Sequence, residues 1–230
     1  MKRTDTKRTD KNVCPTDPGW YLVAGLLVFV IMTLIVGAMG EHVTNGKPLT
    51  LVDAKLTAWL HQHRSPTLTT ALGVATHLGS SVVASCAMVV VGIYLLWRRR
   101  PYWFAAIWLS VFGGIALNRF LKYAFQRPRP SFDSPILSFS GYSFPSGHTM
   151  AATVFYGVLA AYLLSNTSNR GKRVLVILSA SVLIALVGFS RIYLGAHYLS
   201  DVLGAMAEGL AWLSLCLTAV YSVWRRRSSA

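Results

Sequence analysis

The sequence predicts an all-α, polytopic membrane protein with six transmembrane helices and a short interfacial helix between the first two. Of its 230 residues, 53% are hydrophobic and 13% are charged, and the mean hydropathy is +0.48. The apolar residues form six runs of about the length that one helix needs to cross a bilayer, roughly 20 residues. Clusters of Lys and Arg flank these runs, as the positive-inside rule expects of a multi-pass membrane protein.

The six predicted spans account for most of the chain. They are Trp20–Gly40, Thr70–Trp97, Tyr102–Phe125, Gly147–Leu164, Val174–Phe189 and Leu199–Trp224. The first run follows a basic stretch, so a secretory signal cleaved near Gly40 is an alternative to a retained anchor. Its apolar part of about 20 residues exceeds the roughly 7–15 that are usual in a cleaved signal. We therefore expect a retained anchor.

The charge is strongly basic, with 22 Lys+Arg against 8 Asp+Glu and a net charge of +14. Such a balance can indicate nucleic-acid binding, but fourteen of these cations stand in four short clusters beside the apolar runs: Lys2, Arg3, Lys7, Arg8 and Lys11; Arg98, Arg99 and Arg100; Arg170, Lys172 and Arg173; and Arg225, Arg226 and Arg227. With six spans, all four clusters fall on one side of the membrane, which the positive-inside rule makes cytoplasmic. No nucleic-acid partner is expected. The division is a basic cytoplasmic tail (1–19), a six-helix membrane domain (20–224) and a basic cytoplasmic end (225–230).

Segments 41–69, 126–146 and 190–198 should then face away from the cytoplasm. The first contains Leu49–His63, in which one helical face carries apolar residues while Asp53, Lys55 and His61 lie elsewhere on the wheel. The apolar positions are Leu49, Val52, Leu56, Trp59 and Leu60. This pattern predicts a short amphipathic helix at the membrane interface. Such a helix can be a simple connector over the bundle, or the rim or lateral gate of a lipid site.

The second outward segment combines cations with a helix start. Lys122 stands just before it, and Arg127, Arg129 and Pro130 lie at its start. Farther on, Ser146 precedes an apolar run, so its hydroxyl can act as an N-cap while the free amides of Gly147 and His148 favour an anion. The pattern suits a phosphate, although a solvated basic loop facing anionic lipid explains the cations alone.

The third outward segment contains His197, and Asp201 follows four residues later at the entry to the last span. Four apart on a helix places two side chains on one face. A carboxylate there can accept the imidazole N–H, fix the tautomer and stabilise positive charge as the other nitrogen attacks phosphorus. A structural pair, or an intramembrane Asp that packs helices together, is the alternative.

Taken together, the three segments resemble the signature of the type 2 phosphatidic acid phosphatase family. Its eleven fixed positions are filled by Lys122, Arg129, Pro130, Pro145, Ser146, Gly147, His148, Ser190, Arg191, His197 and Asp201. The resemblance covers about residues 70–210 and is strongest to bacterial phosphatidylglycerophosphate and undecaprenyl pyrophosphate phosphatases. It implies six spans and outward-facing motifs.

The resemblance also implies a mechanism. His197 would attack phosphorus to form a phosphohistidine, Asp201 would orient it, and His148 would protonate the leaving oxygen and later activate water. The phosphate would be bound by Lys122, Arg129, Ser146, Gly147 and Arg191, with secondary roles for Arg127, Pro130, Pro145 and Ser190. No cofactor and no metal are expected. The set His148, His197 and Asp201 could be read as metal ligands, but the neighbouring cations oppose a divalent ion.

The implied protein is a lipid phosphatase of the bacterial inner membrane whose favoured substrate is undecaprenyl pyrophosphate or phosphatidylglycerophosphate, with phosphatidic acid and lipid A as the other candidates. The alternatives are a lipid-to-lipid phosphotransferase and a non-catalytic lipid carrier or scaffold. A monomer is the working expectation. Tyr123, Tyr142 and Tyr193 can support the pocket or form an aromatic belt at the interface, and Glu208 can be buried and hydrogen-bonded or can support Asp201. Four histidines match no part of the signature and are expected to be surface or packing residues: His42, His61, His63 and His77.

Overall fold

The computed structural model describes residues 18–45, 48–132 and 140–228. Within these ranges all regular secondary structure is helical. The helices are α1 (Pro18–Thr44), α2 (Pro48–Gln62), α3 (Pro66–Ala75), a 3-10 turn (Thr76–Gly79), α4 (Ser81–Trp97), α5 (Pro101–Phe125), α6 (Gly147–Ser165), α7 (Arg170–Tyr193) and α8 (Leu199–Ser228). The all-α prediction is confirmed. The predicted tail lies almost wholly outside the described residues, as do residues 229 and 230 of the basic end.

Five helices are each long and apolar enough to cross a membrane, and a sixth span forms if the bent pair Pro66–Gly79 and Ser81–Trp97 counts as one. The predicted multi-pass class is therefore confirmed, with five or six spans, but the predicted span Thr70–Trp97 is broken and is not one continuous helix. The two parts meet at 47°. At the break, the Ser80 hydroxyl accepts a hydrogen bond from the Val83 amide and so begins a new helix at α4.

The break has a packing reason as well. A Cβ on Gly79 would lie 2.4 Å from a methyl of Val187 and 2.7 Å from the carbonyl oxygen of His148. The backbone of the turn therefore lies directly against α6 and α7, in a space that only glycine fits. A run of apolar residues gives no signal of such a close approach.

Helix α8 lies at the centre of the bundle, packing against α1, α5 and α6. The main core joins α4, α5, α6 and α8 and includes Met88, Ile107, Met150, Val154 and Leu213. Many large apolar side chains on the outer faces are exposed, among them Leu34, Val90 and Leu175. A bundle with an apolar exterior is suited to lipid rather than water.

Helix α2 forms where it was predicted, but its orientation differs from the amphipathic interpretation. Asp53 and Thr57 are buried, at 1% and 2% exposure, whereas Val52 and Trp59 are each 55% exposed. The face that contacts the bundle is thus centred on a carboxylate and a hydroxyl. Asp53 can be buried because it has partners on two other segments, which are described below.

Candidate active site

Three segments distant in sequence meet at one end of the bundle. Helix α5 ends with Gln126 in the left-handed conformation (φ 47°), which turns the chain into the loop that carries Arg127 and Arg129. The Ser143 amide donates to the Arg127 carbonyl at 2.8 Å, and the Ser146 amide donates to the Asp201 carbonyl at 3.1 Å. These backbone bonds join the loop after α5, the start of α6 and the start of α8 into one site.

His197 lies in the segment between α7 and α8 and is buried, at 2% exposure. Its Nδ1 lies 3.3 Å from Asp201 Oδ2, and its Nε2 lies 3.3 Å from Nη1 of Arg129. Burial lowers the pKa of His197 to about 3, although the hydrogen bond and charge of Asp201 act in the opposite direction. The imidazole is therefore neutral at physiological pH, with a carboxylate at one nitrogen and a cation at the other.

His197 and Asp201 are in contact, but not through the shared helical face that their spacing predicts. His197 precedes α8, which begins at Leu199, so the two side chains do not share a helical face. Instead, Asp201 lies in the first turn and accepts the Tyr198 amide at 2.9 Å. This is the reciprocal half of a capping box, in which a side chain in the first turn binds the amide just before the helix. The bond brings the carboxylate back toward His197.

The predicted phosphate-binding cations surround this histidine. The Lys122 ammonium donates to the carbonyls of Tyr142 and Ser143, at 2.8 and 3.1 Å. Arg129 donates to the carbonyls of Gly141 (3.0 Å) and Ala196 (2.8 Å). Loop carbonyls thus fix the long side chains near the imidazole.

Arg191 is the third cation, and it is buried at 4% exposure. Its Nη1 donates to the Thr76 hydroxyl at 3.0 Å, so the broken second span holds this guanidinium. His148 lies within electrostatic reach of Arg191, Arg129 and Lys122. The structure therefore brings together the cations and both histidines of the signature.

Ser146 occupies the N-cap position of α6 and is fully buried, but its hydroxyl does not cap a helix amide. It accepts a hydrogen bond from the Thr149 hydroxyl at 3.1 Å, so the predicted N-cap bond was wrong. Gly147 is the first residue of the helix, and a Cβ there would lie 3.3 Å from Asn118 Oδ1. The start of α6 is therefore tightly packed on its α5 side.

Among the secondary residues, Arg127 has the most extensive contacts. It is 4% exposed, stacks over the Tyr198 ring at 4.2 Å from the centroid and donates to Asp201 Oδ1 at 2.6 Å. Ser190, by contrast, donates to the Val187 carbonyl in its own helix at 2.6 Å. Pro145 is buried and follows a cis peptide bond, while Pro130 is partly buried in the loop.

Several residues of the site were missed from the sequence. The Ser143 hydroxyl donates to Asp201 Oδ2 and lies 3.4 Å from His197 Nδ1. Asp53 of α2 accepts from Arg127, and Thr76 holds Arg191. Ser143 stands three residues before the signature serine and could have been considered for that reason. Asp53 and Thr76 stand far from the motifs and have no such signal.

The remaining open residues have mainly structural contacts. The Tyr193 hydroxyl accepts the Ser65 amide at 2.9 Å, which joins the end of α7 to the start of α3. Glu208 is 2% exposed, and its Oε2 accepts from Asn118 Nδ2 at 2.9 Å. In the part of the chain that the structure describes, Oε1 has no hydrogen-bond partner. His61 stacks on the Phe132 ring at 3.9 Å.

Most of the other aromatic and histidine side chains are exposed, although His77 lies within electrostatic reach of His148. Tyr123 is exposed and meets the Tyr142 ring edge-on at 5.9 Å. His63 stacks on Trp59, and His77 is exposed. Across residues 18–45, 48–132 and 140–228, no three His, Cys, Asp or Glu side chains are grouped so as to hold a metal ion.

Comparison with known proteins places this fold in a family. The model of the PAP2 superfamily matches residues 103–225. Phosphatidylglycerophosphatase B of Bacillus subtilis (strain 168) is 38% identical over 149 residues, which are 64% of this chain and 72% of that protein. Lipid A 1-phosphatase of Rhizobium etli is 33% identical over 140 residues, 56% of this chain and 53% of that protein.

A solved structure agrees over most of the chain. The crystal structure of a transmembrane PAP2-type phosphatidylglycerolphosphate phosphatase from Bacillus subtilis matches with a TM-score of 0.72 at 31% identity, covering 86% of this chain and 94% of that one. The fold is that of a multi-pass membrane protein, and its relatives hydrolyse lipid phosphates. The chain belongs to the PAP2 superfamily. It is a membrane lipid phosphatase, in the class of phosphoric monoester hydrolases.

Proposed function

We propose that the chain hydrolyses a lipid phosphate or pyrophosphate through a phosphohistidine on His197, at the extracytoplasmic face of the bacterial inner membrane. The observation that carries the proposal is the environment of His197, whose two nitrogens lie 3.3 Å from Asp201 and from Arg129. With Nδ1–H donated to the carboxylate, the lone pair of Nε2 is directed toward the cation. A phosphoryl group held by that cation would lie in front of the nucleophilic nitrogen.

The proposed steps follow from this arrangement. Nε2 attacks phosphorus, the bond to the lipid oxygen breaks, and Asp201 stabilises the positive charge that develops on the imidazole. His148 donates a proton to the leaving oxygen and then takes one from the water that hydrolyses the phosphohistidine. Charge on the equatorial oxygens is stabilised by a cradle made of Lys122, Arg129, Ser146, Gly147 and Arg191. No cofactor enters these steps.

The membrane orientation is proposed from charge. Three basic clusters adjoin the helix ends opposite the site: after α4, at the start of α7 and at the end of α8. The positive-inside rule favours the cytoplasm for that end, and with it both termini. Single cysteines at exposed Ser140 and Ser168 in a cysteine-free background test this, because an impermeant maleimide added to intact cells should label only the first.

Phosphatidylglycerophosphate is favoured as a substrate because the Bacillus subtilis relatives are named for it, and undecaprenyl pyrophosphate because of the resemblance of the motifs. Lipid A is the alternative that the Rhizobium relative suggests. A lipid-to-lipid phosphotransferase would use the same phosphohistidine with another acceptor. The cradle contacts phosphate in each case, so the lipid must be identified by assay.

The test compares wild type, His197→Ala and His63→Ala in detergent with EDTA present. His63 is the matched control, since it is exposed and bonds its own helix at the Trp59 carbonyl. Phosphate release is measured from phosphatidylglycerophosphate, undecaprenyl pyrophosphate, phosphatidic acid and lipid A. Release by wild type and His63→Ala but not by His197→Ala is expected. Equal release by all three would overturn the nucleophile, and phosphate appearing on a second lipid would favour the transferase.

A further inference from the structure

Helix α2 contributes a carboxylate to the support of the site. Asp53 is 1% exposed, and its Oδ1 accepts the Ser200 amide at 3.0 Å. Its Oδ2 accepts both the Ser200 hydroxyl and Nη2 of Arg127, the latter at 2.8 Å. Ser200 is the second residue of α8, so Asp53 fills the role of an N-cap for that helix from another part of the chain.

Arg127 links this carboxylate to the one beside the nucleophile. One guanidinium nitrogen bonds Asp53 and the other bonds Asp201 at 2.6 Å. The three side chains are 4%, 1% and 0% exposed, so water screens them little. Two carboxylates and one guanidinium carry a net charge of −1.

This net charge matters when His197 reacts. The imidazole is neutral at rest and becomes positive as Nε2 bonds to phosphorus, so a negative environment at Nδ1 lowers the barrier. If Asp53 were absent, the charge of Arg127 would offset that of Asp201. The negative charge at Nδ1 would then be cancelled in a site that already contains Lys122 and Arg129.

We propose that Asp53 is a positioning residue for the reaction: it fixes the Arg127 guanidinium and balances its charge, so that Asp201 keeps its full negative charge on His197. The proposal rests on the nucleophilic role of His197. Through Asp53, α2 would help to position the catalytic groups rather than serve only as a connector.

The test measures kcat and KM of folded enzyme for Asp53→Asn, Arg127→Gln and the double variant. Asp53→Asn is expected to lower kcat about tenfold or more while KM changes less than about threefold, because the phosphate cradle is untouched. Arg127→Gln leaves two buried carboxylates without their cation and should also lose activity. The double variant restores a net charge of −1, so its kcat should exceed that of either single variant.

Two controls separate charge from structure. Thr57→Val removes the bond from a buried hydroxyl to the Asp53 carbonyl one turn away without changing charge, and Glu41→Gln removes an exposed carboxylate. Both should keep kcat within about twofold of wild type, and thermal unfolding in detergent reports stability separately. Unchanged kcat in Asp53→Asn, or a double variant less active than both singles, would overturn the proposal. An active His197→Ala would instead overturn the nucleophile on which it rests.

Discussion

Ser143→Ala is expected to reduce activity far more than Ser190→Ala, although only Ser190 belongs to the family signature. Both serines are fully buried, at 0% exposure. The Ser143 hydroxyl donates to Asp201 and lies 3.4 Å from the His197 ring nitrogen. The Ser190 hydroxyl bonds a carbonyl three residues earlier in its own helix. The two substitutions are chemically identical, so the difference in effect isolates the contact with the carboxylate.

The magnitude follows from the partner's charge. A hydrogen bond to a charged group contributes about 1.5–3 kcal/mol, and about 1.36 kcal/mol corresponds to a factor of ten in rate. If that bond is needed to hold the carboxylate against the imidazole, kcat should fall about 10- to 150-fold in Ser143→Ala. Loss of a neutral bond within a helix should leave kcat of Ser190→Ala within about threefold of wild type.

The assay is steady-state phosphate release by purified enzyme in detergent, with the folded fraction measured by thermal unfolding. Losses of similar size in the two variants would refute the reasoning, as would a larger loss in Ser190→Ala. So would a loss in Ser143→Ala that the folded fraction alone explains, because the serine would then support the fold and not the nucleophile.

Three further predictions concern ionisation, packing and the anion site. The His197 ring should not titrate above pH 5 in NMR spectra of labelled enzyme, because burial lowers its pKa to about 3. Since this pKa lies below the value in the unfolded chain, the stability of the protein should fall as pH drops below about 6.5. The His197 resonance is the one that disappears in His197→Ala, and a titration midpoint near 6.5 for it would contradict both expectations. Gly79→Ala should lower the unfolding temperature, because its Cβ would lie 2.4 Å from a methyl of Val187 in α7. Gly73→Ala is the control: its Cβ would have nothing within 4 Å, so the substitution should be neutral or stabilising. Equal unfolding temperatures of the two variants would count against the close packing at Gly79. Gly147→Pro removes one amide N–H at the first helical position of α6, where proline is tolerated and the extended Ser146 (ψ 114°) can precede it. Inhibition of this variant by vanadate should be about tenfold weaker than that of Gly147→Ala. Equal inhibition of the two variants would exclude the Gly147 amide from the anion site.

Composition and local pattern were enough to predict the spans and the motif residues. Apolar runs long enough to span a bilayer have few alternative structures, which is why α5, α6 and α8 begin or end within a few residues of their predicted limits. The His197 and Asp201 pair was also predicted, although for an incomplete reason. Spacing of four residues predicts a shared helical face, whereas the carboxylate reaches His197 by capping the start of α8.

The residues that were missed are those whose partners lie far away in sequence. Asp53 is 74 residues from Arg127, and Thr76 is 115 residues from Arg191. Helical periodicity assigns a carboxylate to the polar face because burying it alone is unfavourable. Only the fold reveals the guanidinium that makes burial of Asp53 favourable, so no pattern within α2 could have shown that its polar side packs inward.

Helices α6 and α8 both begin at the site, and their N-terminal ends have different hydrogen-bond partners. The positive N-terminal end of α8 is occupied by the carboxylates of Asp201 and Asp53, which bind its amides. Helix α6 has no acidic residue in its first turn, and the Ser146 hydroxyl does not cap it. An incoming phosphate would therefore be repelled from the start of α8 and attracted to the start of α6. This difference, and not the cations alone, would direct the phosphate to the side of His197 that faces Arg129, leaving the opposite nitrogen to Asp201.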